Sequence, residues 1–262
     1  MADKLEQVLC FNYGGGRQTV AICVMISKGV LPKPDVIVMA DTGRENPMTW
    51  EYLEKHIRPL LSGMGLQVEI ASHDLATVDD IYALNGDMIL PAFTSDGKLG
   101  GFCSNEWKKR VVDRWLRSKG MVSGTRWLGL AYDEKRRWQR QHNIHDGKWK
   151  TVCPLVDIMI NTDACLQIIE NAGLPQPQHS SCFMCPHKWN DQWRYIRDNH
   201  PAEFAEAVRI DEEIREHNHN ERNTKGGLLF LHHSRVPLKD ADLEAPDRTV
   251  GRRECSLGMC FI

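Results

Sequence analysis

The sequence predicts an α/β fold, a doubly wound parallel sheet followed by a helical, cysteine-rich C-terminal region. Two observations carry the sheet. Short apolar runs of strand length alternate with segments of helical period, and the first two runs end in turns, Gly14-Gly15-Gly16 and Asp41-Thr42-Gly43. A third observation carries the appendage: Cys182 and Cys185, then Cys255 and Cys260, fall in pairs behind the alternating part. The expected division is 1–150 for the sheet domain and 151–262 for the helical region.

The elements follow in order. Glu6 to Phe11 reads as a short buried strand, and Gln18 to Lys28 is apolar at helical spacing through Val20, Ile22, Val24 and Ile26, with Gly29 able to end it. Asp35 to Met39 is a continuous β-branched run of the kind found in central parallel strands. Pro47 to Leu61 is expected as a helix with Trp50, Leu53, Ile57 and Leu61 on one face, and Gln67 to Ala71 as a third strand. From Leu75 to Gly101 the pattern weakens into loops. Trp107 to Arg117 reads as helix, Arg126 to Ala131 as another strand, and Asp163 to Ala172, Asp191 to Asp198 and Pro201 to His217 as helices. Ligands of such sheets bind outside the carboxyl ends of the strands, where both turns fall.

With 262 residues, 42% hydrophobic and 26% charged, the chain suits one α/β domain with an appendage. No run approaches a membrane span, and the opening MADKLEQVLCFNYGGG lacks the layout of a signal peptide. A cytoplasmic protein is therefore expected, whose cysteines serve metal binding or catalysis more often than disulfides. Net charge is only −2, but between Trp107 and Lys150 there are 13 Lys/Arg against four Asp/Glu, with five of the eight tryptophans. Such a stretch suits a nucleotide, a sulfate or a nucleic-acid strand; it also suits a solvated basic face with tryptophans in the core.

Three glycines between a strand and a helix let backbone N–H groups approach a phosphate, although a plain tight turn uses them too. The spacing matches neither a Walker A loop nor the dinucleotide fingerprint. Together with Met39-Ala40-Asp41-Thr42-Gly43-Arg44-Glu45-Asn46-Pro47-Met48-Thr49, however, the chain resembles the PP-loop family of ATP pyrophosphatases and PAPS reductases, the adenine nucleotide alpha hydrolase-like fold. Phe102-Cys103-Ser104-Asn105-Glu106-Trp107-Lys108 and Leu128 to Arg137 resemble further segments of that family in the same order. Segments around Cys182–Pro186, Leu231–Leu238 and Glu254–Cys260 resemble a phage and bacterial branch of it.

The resemblance implies an enzyme that binds ATP or a related adenine nucleotide, with magnesium a further candidate, and that activates or transfers sulfur. Carried over by position, the nucleotide site is Tyr13, Gly14, Gly15, Gly16, Arg17, Gln18 and Thr19 with Asp41, Thr42 and Gly43. The loop departs from pattern: the family's serine, aspartate and serine fall on Tyr13, Arg17 and Gln18. Lys108 and Arg137 would hold phosphate or sulfate oxygens, with a surface ion pair of Glu134 with Arg137 or Arg136 as the plainer alternative. Cys103 could carry sulfur, ligate metal or do neither. Cys182, Cys185, Cys255 and Cys260 would hold a [4Fe-4S] cluster, or zinc, with His179 and His187 as substitutes. Cys10, Cys23, Cys153 and Cys165 read as small buried hydrophobes. A nucleic-acid acceptor and a sulfur-donor protein are the expected partners. Two alternatives stand beside this: a PAPS or APS reductase releasing sulfite through Cys255 or Cys260, and a metal-stapled nucleic-acid-binding module with a degenerate nucleotide site.

Overall fold

The computed structural model describes residues 7–95, 97–216 and 227–246. The chain runs β1 (Val8–Asn12), α1 (Arg17–Ser27), β2 (Val36–Ala40), α2 (Pro47–Tyr52), a π turn (Leu53–Ile57), α3 (Arg58–Ser62) and β3 (Val68–Ala71). A hairpin of β4 (Ala92–Thr94) and β5 (Gly97–Leu99) precedes a second π turn (Asn105–Lys109), α4 (Arg110–Ser118) and β6 (Gly124–Leu128). After α5 (Lys135–Gln141) come β7 (His145–Asp146), β8 (Trp149–Val152), α6 (Pro154–Asp157), α7 (Thr162–Glu170), α8 (Asn190–Asn199) and α9 (Pro201–Glu216).

The large sheet has the order β3-β2-β1-β6-β8-β7, with five parallel strands and β7 antiparallel at the edge. The doubly wound parallel fold expected from the sequence is therefore the one observed. Alternation along the strands sends Phe11, Ile37 and Trp127 to one face, under α1, α3 and α7, and Cys10, Val38 and Ala40 to the other, under α4. From β1 the chain builds outward through β2 and β3 on one side, while β6 and β8 lie on the other. The direction of winding thus reverses between β1 and β6, and a crevice opens at the carboxyl ends of those strands.

The expected elements sit within a few residues of where the periodicity put them. One long helix was expected from Pro47 to Leu61; its path is α2, π turn and α3 in succession. The hairpin β4–β5 lies where the pattern had weakened into loops. Residue 150 falls inside β8, and α7 packs on α1. Cys10, Cys23, Cys153 and Cys165 are fully buried, as small hydrophobes. Among the described residues no helix is long and apolar enough to cross a membrane.

A second core joins the 81–107 stretch to α8, α9 and the segment after residue 227, around Trp107, Trp193, Ile210 and Leu231. Asp211, fully buried on α9, fixes that segment: its carboxylate accepts from Leu231 N at 2.7 Å, from Leu238 N at 2.8 Å and from Arg215. Asp211→Ala would leave two buried N–H groups and a guanidinium without their acceptor. The expected cost is about 3–5 kcal/mol of unfolding free energy, read from urea denaturation; a loss within error of zero would show that the 227–246 segment does not depend on this carboxylate.

Candidate active site

The glycine turn is built by steric necessity. Tyr13 N donates to Val38 O at 2.9 Å, prolonging the contact of β1 with β2 by one residue. Gly15 then adopts φ +75°, and a Cβ there would lie 2.2 Å from Thr49 Cγ2, so only glycine fits. Gly16 caps α1 without any side-chain hydrogen bond, and the first turn of α1 holds no acidic residue. The exposed N–H groups of a helix start favour an anion.

The side chains around the turn are engaged elsewhere. Tyr13 packs edge-on against Phe11 in the core, and its hydroxyl is buried with no hydrogen-bond partner among the described residues. Gln18 Nε2 donates to Glu134 Oε2 at 3.1 Å, and Thr19 Oγ1 folds back to Gly16 O at 2.9 Å. What the loop offers a phosphate is therefore chiefly its backbone, with Arg17 the first residue of α1. Asp41 Oδ1 accepts from Gly43 N at 2.7 Å, so this carboxylate shapes its own loop. Gly43, at φ +64°, backs onto the His73 ring, and Arg44 lies 4.6 Å over Trp107.

A short strap ties this second loop to the Cys182-x-x-Cys185 segment. Glu45 and Cys182 form an antiparallel bridge, Asn46 N donates to Ser181 O at 3.2 Å, and Phe183 N donates to Arg44 O at 2.9 Å. At its centre the buried Glu45 carboxylate accepts from Thr49 Oγ1 at 3.4 Å and pairs with Lys108 Nζ at 3.5 Å. Ser180 lies 3.5 Å from the same carboxylate and donates its hydroxyl to Gly14 O. One acid thus links the glycine turn, the Asp41 loop, the start of the α4 helix and the cysteine segment. Sequence alone marks Glu45 as part of the 39–49 segment without giving it a role; its signal is the strand-end position, four residues before Thr49.

Three thiols, Cys103, Cys182 and Cys185, lie within electrostatic reach of one another, and Cys182 lies within reach of that acid. Burial pushes the Cys182 thiol up to about 11, with Glu45 adding to the shift and Lys108 opposing it. Cys103 is raised further, by burial first and then by Cys182 and Cys185. Thr42 Oγ1 lies 3.6 Å from Cys182 Sγ. Cys255 and Cys260 lie outside the described residues. Among the described residues no three His, Cys, Asp or Glu side chains are arranged to hold a metal ion. His187 Nδ1 contacts Lys98 Nζ at 2.6 Å.

Positive charge gathers on the other flank. Lys188 is buried and donates to Ser181 Oγ at 2.5 Å; burial lowers its pKa. Arg137 pairs with Glu134, which also accepts from Ala131 N, so the ion pair anticipated as the plainer alternative is present. His179 is held neutral: burial, then Lys188, Arg17, Arg137 and His187, lower its pKa from the ordinary 6.5 to about 4. Its Nδ1 has no hydrogen-bond partner among the described residues.

Next to the glycine turn, a cavity of about 320 Å³ opens over the ends of β1, β2 and β6. Asn12, Gly14, Glu45 and Lys108 line it toward the strap, and Lys109, Arg126 and Arg140 add positive charge. The basic, tryptophan-rich stretch divides: Trp107, Trp115 and Trp127 are buried, and Lys109, Arg110 and Arg126 pair with Asp113, Glu106 and Asp113. Its surface part is α5, where half-exposed Tyr132 stacks on Trp138 with ring centroids 6.2 Å apart and 20° between planes.

No family model and no curated protein matches the sequence. Among solved structures the chain is similar to a phosphoadenylyl-sulfate (PAPS) reductase from Candida auris in a phosphate complex, at 15% identity, covering 67% of this chain and 78% of that one with a TM-score of 0.45. It is also similar to a U34-tRNA thiolase from Methanococcus maripaludis with its [4Fe-4S] cluster, at 14% identity, covering 81% of this chain and 72% of that one with a TM-score of 0.43. Likeness at this level concerns the layout of strands and helices.

Two outcomes test this geometry. Gly15→Ala should abolish sulfate binding at the turn and destabilise the fold by about 1–3 kcal/mol. Adding Thr49→Ser removes the colliding methyl and should recover part of the stability, the left-handed φ remaining strained; no recovery would show the contact to be unimportant. For His179, the unfolded chain takes up a proton below the ordinary 6.5, the folded chain only near 4. Stability should therefore fall as pH drops from about 6.5 to about 4, and His179→Gln should lose less across that window. Sulfate, whose own charge is constant there, should bind more tightly as the pH falls, in the parent but not in the variant.

Proposed function

We propose that this chain is a PP-loop-type enzyme that binds ATP or a related adenine nucleotide at the Gly14–Gly16 turn and activates or transfers sulfur. The observation that carries the reading is the junction at Glu45, where a strap joins the loop after β2 to Cys182, Ser180 reaches the glycine turn before a helix start suited to phosphate, and Cys103 lies within electrostatic reach of Cys182 and Cys185. Phosphate needs fixed N–H dipoles and cations; sulfur transfer needs a thiol or a cluster within reach of the activated group. Few arrangements of these residue types would serve a purely structural end in such proximity.

In the ATP version, an acceptor oxygen attacks the α-phosphate, pyrophosphate leaves, and a sulfur donor then displaces AMP. The backbone of Gly14, Gly15 and Gly16, with Arg17, would hold the leaving pyrophosphate, magnesium accompanying it, and Lys108 and Arg137 would stabilise the developing charge. Asp41, Thr42 and Gly43 shape the neighbouring loop. Cys103 is the proposed sulfur-carrying thiol or metal ligand. Cys182 and Cys185, close to Cys103, would hold a [4Fe-4S] cluster or zinc together with Cys255 and Cys260; such a group would supply sulfur chemistry or a structural clamp, respectively.

One observation favours a nucleic-acid acceptor: the Tyr132–Trp138 stack stands beside Lys135 and Arg136, offering a base platform next to cations. Release of sulfite from PAPS or APS would instead require a nucleophilic Cys255 or Cys260.

ATP–pyrophosphate exchange with candidate oligonucleotide acceptors is the deciding assay. Lys108→Met should lower the exchange rate on the order of a hundredfold or more, measured well below the melting temperature, which should itself fall because the buried Glu45 carboxylate loses its countercharge. Thioredoxin-dependent sulfite release without exchange would select the reductase. Absence of any adenine-nucleotide binding, with tight and salt-dependent nucleic-acid binding, would select the binding module. Anaerobic purification should give about four irons and matching sulfide per chain, as a four-iron cluster requires; one zinc would assign the cysteines to a clamp.

A further inference from the structure

The cavity has a floor that the phosphate turn does not account for. Arg126 is the third residue of β6, beside Cys10 of β1 in the middle of the sheet. A guanidinium on a central parallel strand is costly to bury, yet Arg126 is only 3% exposed. Part of it is satisfied: one terminal nitrogen donates to Asp113 Oδ1 at 2.5 Å, and the group lies 5.2 Å from the Trp149 ring. Its Nε–H has no hydrogen-bond partner among the described residues, and the residue lines the cavity. Val38, Val112 and Leu128 form apolar walls around it, while Lys109 and Arg140 stand on the lining as cations.

These features describe the complementary ligand. It has a flat apolar body, a hydrogen-bond acceptor on its buried edge and negative charge toward the cations, which is the chemistry of a nucleotide unit entering base first. A guanidinium carries donors and no acceptor. It can meet a carbonyl oxygen or an unprotonated ring nitrogen, and it rejects an exocyclic amino group at the same point. We propose that Arg126 is the specificity-determining residue of this cavity, selecting the base by the acceptor it presents to the Nε–H. The inference rests on the nucleotide reading above and goes beyond it by naming the base edge that is read. The unit could be the free nucleotide or a nucleotide of a single-stranded acceptor, since both present the same chemistry.

The test is calorimetric titration of the full chain with inorganic pyrophosphate and with the four common nucleoside 5′-monophosphates, on the parent, Arg126→Met and Ile144→Trp. Ile144, 41% exposed, lines the cavity, so tryptophan there fills it without touching the polar floor. The parent should rank the four bases. Arg126→Met should weaken the preferred one about tenfold or more, the value of a hydrogen bond to a charged group, and flatten the ranking. Ile144→Trp should weaken all four. Pyrophosphate should bind all three proteins alike. If Arg126→Met fails to fold, Arg126→Lys keeps a cation near Asp113 and should flatten the ranking equally. An unchanged ranking in a folded Arg126 variant, or no effect of Ile144→Trp, overturns the inference while the phosphate turn stands. Pyrophosphate failing to bind, with the base pattern intact, sinks the phosphate turn and leaves Arg126 in its role. Displacement of the preferred monophosphate by a single-stranded oligonucleotide of that base assigns the cavity to an acceptor strand, and lack of displacement to the free nucleotide.

Discussion

A carboxylate removed from water must be matched by donors and a countercharge or it destabilises what surrounds it. Glu45, buried at the end of the loop after β2, is matched by Lys108, Thr49 and the neighbouring Ser180. Each partner belongs to a different segment, so meeting the needs of one acid aligns the glycine turn, the Asp41 loop, the start of the α4 helix and the cysteine loop. The main-chain pairing of residues 44–46 with 181–183 adds direction to that alignment. Further polar ties between the two halves run from Ser180 to Gly14 O, from Tyr52 to Pro175 O and from Thr162 to Asp133.

The electrostatics follow from the same assembly. The strap buries Cys182, which raises its pKa; neighbouring Glu45 adds to the rise and Lys108 opposes it. On the opposite flank burial, and then Lys188, Arg17 and Arg137, lower the pKa of His179. Arg137 and Gln18 both lean on Glu134, which ties the first turn of α1 to the segment after β6.

The second core has a different logic. Trp107 and Trp193 fill it, and Asp211 anchors the segment around Leu231 and Leu238 by backbone donors. The irregular stretch 227–246 thereby acquires a fixed path without regular secondary structure beyond a short 3₁₀ turn (Leu238–Asp240). The tryptophans that enriched the basic stretch mostly serve such cores; Trp138, stacked with half-exposed Tyr132 on α5, is the exception.

What the sequence determined by itself was local. Continuous apolar runs such as Val36–Met39, glycines at strand ends and the helical spacing of Val20, Ile22, Val24 and Ile26 depend on chain stereochemistry and water, so the parallel sheet and the turns at the ends of β1 and β2 were legible. The buried role of Cys10, Cys23, Cys153 and Cys165 was legible for the same reason. Tertiary structure alone decided the rest. That Glu45 meets Lys108 63 residues away, that Tyr13 turns into the core, and that Cys103 meets Cys182 and Cys185 depend on how separate segments stack, which no local pattern encodes. Arg126 shows the limit most clearly. Within RWLGLA it is one charged residue at the start of an apolar run; only the stacking of β6 between β1 and β8, under α4, turns it into a buried donor on the floor of a cavity.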